Sequence, residues 1–204
     1  MPKNLLPDHG GKALKKATRS AALEKPPTTP AKKRPKKHAG TPPENDLERA
    51  YCHLGRAAAV AAELQAAPRE FVSRFLEYGA EFYLEALSEK GRNAEHAAFA
   101  AAEVLRTAEH IALASLYAQN RSSVPALPAP KTDHVKRLQQ TSRRIDDAVR
   151  HARSSPHLAQ FTAAARELLR QAEQSTESHE TQLAHEFLHA AEALTEALSQ
   201  LPEE

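Results

Sequence analysis

From residue 44 onward, apolar positions recur every three or four residues, the spacing of one buried helical face. Thr41-Pro42-Pro43-Glu44 has the form of a capping box with proline in the first turn, and opens a first helix that runs to about Ala66. Pro68 starts a second, in which Phe71, Phe75, Phe82 and Leu87 keep a helical period beside Val72, Leu76 and Tyr83. Gly91 stands where a C-terminal stop is expected. A third helix follows from about Arg92 to Gln119. The stretch RSSVPALPAP at 121–130 has the composition of a linker. Thr132 or Asp133 then caps a fourth helix. Its Val135, Leu138, Ile145, Val149 and Ala152 fall on a heptad, with Ser142 in the remaining slot. Ser155-Pro156 opens a fifth helix, with Leu158, Phe161, Ala165, Leu168 and Ala172 on one stripe. A sixth, from about Glu177, does the same with Leu183, Phe187, Ala190, Leu194 and Leu201. No alternating β-branched run competes with these patterns. The expected fold class is all-α, a six-helix body.

The pattern also repeats. Pro68 matches Pro156 at a shift of 88, and a shift of 89 aligns EHAAFAAAEVL (95–105) with AHEFLHAAEAL (184–194). His96, Ala101, Ala102, Glu103 and Leu105 then meet His185, Ala190, Ala191, Glu192 and Leu194. The chain therefore divides into residues 1–43, a first three-helix unit at 44–120, a linker at 121–131 and a similar three-helix unit at 132–201. Duplication and convergent helical packing both produce such a match. Each unit alone is small for a stable core. Docking into one bundle and two separate units on a linker both remain open.

Charge changes the picture of the first 43 residues. They carry eleven Lys/Arg against Asp8 and Glu24, whereas the rest carries seventeen against twenty-four acids. Eight prolines and almost no aromatic or β-branched side chains make this segment an expected disordered basic tail. Lys32, Lys33, Arg34, Lys36 and Lys37 form its densest cluster, suited to phosphates of nucleic acid or another polyanion. No aromatic side chain is there for a base to stack on. The cluster also fits a nuclear import signal in a eukaryote. No long apolar run or signal-peptide core is present, so no membrane partner is expected. A cytoplasmic place, nucleoid-associated or nuclear, is the expectation.

The sharpest chemical pattern is His185-Glu186-Phe187-Leu188-His189, which resembles the H-E-x-x-H zinc motif of metalloproteases. That resemblance implies His185 and His189 as zinc ligands and Glu186 as general base. A catalytic zinc needs a third protein ligand, and only fifteen residues follow His189. A helical wheel also sets His185, His189, Glu192, Glu196 and Ser199 opposite the apolar stripe, the pattern of a solvated face. Glu186 and His189 further match the Glu-x-x-His spacing of di-iron bundles, which would take iron. No second copy exists. A gathering of His96, Glu103, His185 and His189 would require helices three and six to pack through their polar faces.

RNAEH at 92–96 resembles the Arg-Asn…His motif of the HEPN family of helical-bundle ribonucleases. The resemblance implies Arg92 and His96 as a catalytic pair on an RNA phosphodiester. Its spacing is shorter than the family's, and ordinary charge patterning on an exposed face explains it equally. Cys52, the single cysteine, is expected to behave as a small buried hydrophobe. Lys136, Arg137, Arg143, Arg144, Arg150 and Arg153 give helix four either a solvated or a phosphate-facing side. The leading expectation is a non-enzymatic interaction protein. Its acidic helical body binds a protein partner or itself, and its tail binds a polyanion.

Overall fold

The computed structural model describes residues 45–120, 132–151 and 157–201. Among them lie six helices and no strand: α1 (Asp46–Ala62), α2 (Ala66–Ser88), α3 (Arg92–Gln119), α4 (Thr132–His151), α5 (Leu158–Glu177) and α6 (Thr181–Ser199). The expected capping box at 41–44, the basic tail and the 121–131 linker lie outside the described residues.

The helix ends show what local chemistry decides. Asn45 caps α1, its side-chain oxygen accepting from the Glu48 N–H at 2.9 Å. The helix ends four residues before the expected Ala66. Arg69, from the first turn of α2, reaches back to three carbonyls there: Ala61 (3.1 Å), Ala62 (2.9 Å) and Leu64 (2.6 Å). A guanidinium on these carbonyls, of which Ala61 also accepts from the Leu64 N–H at 3.1 Å, both bonds them and meets the negative end of the helix dipole. Pro68 sits in the first turn of α2, where no intrahelical N–H is required. Gly91 does not stop α2, which ends at Ser88. With φ +62° and ψ −137° it precedes Arg92 as the N-terminal cap of α3. The sixth helix starts at Thr181 rather than Glu177, because His179 breaks the chain. At φ +60° it closes α5 with Glu180 N–H to Ser175 C=O (2.8 Å) and His179 N–H to Thr176 C=O (3.1 Å). That is the Schellman bonding pattern, with histidine where glycine is usual.

The described residues all fall in one compact unit, so the two three-helix halves dock. In the first half α3 packs on α1 and α2; in the second α6 packs on α4 and α5; and α3 packs on α6. These two central helices are buried almost all round. Their contact faces are largely alanine, among them Ala100, Ala101, Ala108, Ala190, Ala191 and Ala197, all without exposed surface. Short side chains let helix axes approach closely. Gly79 of α2 does the same against α3, since a Cβ there would lie 2.4 Å from Leu105 Cγ. A second bond between the halves is aromatic. Phe161 of α5 stacks on Phe75 of α2 and meets Tyr78 and Phe82 edge-on, at centroid distances of 5.5–6.5 Å.

Two expectations need correction. Cys52 is exposed on α1, not buried. The buried seam of α4 is His134, Leu138, Thr141 and Ile145, with Val149 packed against the core beside it; Leu138, Ile145 and Val149 of the expected heptad thus turn inward, and Ala152 lies outside the described residues. Val135 points outward at 49% exposure and Ser142 is exposed. α4 thus turns a histidine and a threonine inward and a valine outward, against simple hydrophobic patterning.

Candidate functional site

The polar face of α6 is covered by α4 and α3. Arg137 of α4 donates to both oxygens of Glu192, at 3.1 and 2.6 Å, and Arg144 bonds Glu196. The expected solvated face is therefore interhelical at Glu192 and Glu196, while His185 and Ser199 are exposed as expected, and these arginines are ion-pair partners within the body. Polar side chains that pair across an interface look, on a single-helix wheel, like side chains that face water.

His185 and His189 lie at the N-terminal end of this face, and Glu186 separates from them. Glu186 is buried and turns to α3, where it accepts from His110 Nδ1–H at 2.7 Å. It does not stand with the two histidines, as the general base of the metalloprotease motif would. His185 is exposed and His189 half-buried, and their Nε2 atoms lie 3.1 Å apart. The His189 ring stacks on His110, with centroids 5.1 Å apart. Its Nδ1 is buried without a hydrogen bond, 3.5 Å from Glu192 Oε2. Burial, then the neighbouring His185, His110 and Arg137, lower the His189 pKa to about 4 against the opposing pull of Glu192. His189 is therefore neutral at pH 7.

His134 of α4 belongs to the same neighbourhood. It is 9% exposed and its Nε2 is buried without a partner. Burial, Arg137 and His185 lower its pKa, while Glu192 raises it. Histidine His134 and the arginine Arg137 were missed as site residues because they come from another helix.

The other candidates are placed apart. Glu103 of α3 is buried but faces α1, bonded to Arg49 and, at 3.1 Å, to Arg106. It does not join His185 and His189, so the expected four-residue gathering does not form. Arg92 opens α3 and is exposed; His96 lies one turn on, half-buried. Near the middle of α3, His53 Nδ1–H donates to Glu109 at 2.6 Å, with Arg56 3.7 Å from the same carboxylate. Burial raises the Glu109 pKa, but His53, Arg56 and His110 outweigh it and hold it below its ordinary value. Among the described residues no three His, Cys, Asp or Glu side chains stand ready around one point to hold a metal ion. Lys32, Lys33, Arg34, Lys36 and Lys37 lie outside the described residues. No helix among those described is long and apolar enough to cross a membrane. No protein-family model, curated protein or solved structure matches the chain.

Proposed function

We propose that the chain is a non-enzymatic interaction protein. Its basic N-terminal segment binds nucleic acid or another polyanion, and its acidic helical body docks a protein partner or a second copy. The observation that carries this reading is the charge division near residue 43, eleven basic residues against two acidic before it and seventeen against twenty-four after it. The interior of the body supports it as well. Several of its basic side chains (Arg49, Arg137, Arg144) are engaged with carboxylates of neighbouring helices. They are less free to meet phosphates than the 32–37 cluster. On α2, Leu84 and Leu87 are exposed at 64% and 60% beside exposed Glu77 and Glu81, an apolar and acidic face suited to a basic amphipathic partner.

We also read the two halves as copies of one three-helix unit. The support is an ion pair that recurs: Arg49–Glu103 joins α1 to α3, and Arg137–Glu192, at shifts of 88 and 89, joins α4 to α6.

The test compares the full chain with one lacking residues 1–43 in DNA titrations at two salt concentrations. The five clustered cations are expected to give a slope of about −4 to −5 in log K against log salt. Affinity unchanged by the deletion, or absent from the intact chain, sinks the tethering role.

A further inference from the structure

Two features of the α4–α6 interface have no part in polyanion binding: the converging Nε2 atoms of His185 and His189, and the buried, unpartnered Nε2 of His134. We propose that His185 and His189 are two ligands of a divalent cation of the zinc class, and that His134 supplies the third, so that the metal clamps α4 to α6.

The argument starts from bite geometry. Imidazole nitrogens bind such ions at about 2.0–2.1 Å. Two of them sharing one ion at tetrahedral or right angles stand roughly 2.9–3.4 Å apart. The pair at 3.1 Å already has that separation, on residues one turn apart on one helix. The carboxylate that orients a ligating histidine is also in place. When Nε2 binds metal, Nδ1 must carry the proton, and it is then best donated to a carboxylate. His189 Nδ1 has Glu192 Oε2 at 3.5 Å, and Glu192 is itself held at both oxygens by Arg137. The donor set is all imidazole, which suits Zn²⁺, Cu²⁺ or Ni²⁺ over Mg²⁺ or Ca²⁺.

His134 is the remaining corner. It is on α4, in the buried seam of that helix, and its Nε2 is buried without a partner. Closing the site requires its ring to turn toward the pair, which exchanges an unsatisfied buried nitrogen for a metal bond. A buried polar atom without a partner is otherwise costly. Binding replaces the hydrogen bond between the two Nε2 atoms: the ring that carried its proton on Nε2 carries it on Nδ1 instead, so two neutral imidazoles take the ion with no net release of protons.

The full chain, prepared without an affinity tag and stripped with a chelator, is titrated with Co²⁺ and then Zn²⁺. The expected result is one equivalent bound, with Zn²⁺ displacing Co²⁺ and raising the melting temperature. His185→Ala, an exposed position that leaves the core intact, is expected to weaken binding by tenfold or more. His134→Ala is expected to do the same, and Glu192→Gln to cost about tenfold. His179→Ala, an exposed histidine elsewhere, leaves binding unchanged. Absence of stoichiometric binding, or full affinity in a His185→Ala/His189→Ala double variant, overturns the site. Full affinity in His134→Ala, with circular dichroism showing the fold retained, overturns the clamp.

Discussion

Arg137 on α4 grips both carboxylate oxygens of Glu192 on α6, and the pair is sheltered from water on the carboxylate side. A fork-on-carboxylate contact of this kind is worth more than an open surface pair and less than a dry one. Arg137→Ala and Glu192→Ala are each expected to cost about 2 kcal/mol in urea melts, with a coupling of about 1 kcal/mol in the double-variant cycle. Amide exchange in α4 should accelerate more than in α1–α3. Additive single effects would remove the pair from the account of how α4 is held.

Gly79→Ala tests the close approach of α2 to α3. The added Cβ meets Leu105 Cγ at 2.4 Å, so that side chain must move within a packed core. Overpacking costs about 1–3 kcal/mol, and the helix gains about 1 kcal/mol from alanine. A net loss of about 1 kcal/mol is expected, a fall of roughly 2–4 °C in melting temperature. Stabilisation would show that the two helices have room to spare.

His179→Gly should stabilise the chain. The histidine holds φ +60° at the end of α5, a conformation that costs a residue with a Cβ and not glycine. A gain of about 0.5–1 kcal/mol is expected by thermal or urea unfolding. A loss would mean that the His179 side chain contributes more than its backbone costs.

The His53–Glu109 pair makes part of the stability acid-labile. The folded Glu109 titrates below its unfolded value. Its contribution is thus complete above the unfolded pKa of about 4.5 and is lost as pH falls through the folded one. Glu109→Gln should be less stable than the parent by on the order of 1–2 kcal/mol at pH 7. The gap should narrow in melts below pH 4. A gap independent of pH would assign the loss to packing.

Helix number, the Pro68 break and the stripe Phe161–Ala165–Leu168–Ala172 were legible because apolar period and proline act within one helix. Three features were not, because each depends on a neighbour. α1 ends early through Arg69, a residue of the next helix. Gly91 has the positive φ that a stop needs, but it serves the helix after it. Glu192 and Glu196 of α6 looked solvated because the arginines that pair with them belong to α4. The H-E-x-x-H spacing did place His185 beside His189. It could not show that Glu186, 100° further round the helix, would be taken by His110 on α3.

The docking of α3 on α6 also has a consequence in time. Contacts within each half are local in sequence, but Thr107, His110, Phe75 and Phe82 find Ala190, Glu186 and Phe161 only across 76 or more residues. On a ribosome adding about 5–20 residues per second, the first half therefore waits roughly 4–16 s for α6. For that interval its alanine face and aromatic ring cluster stand open to other nascent chains and to chaperones.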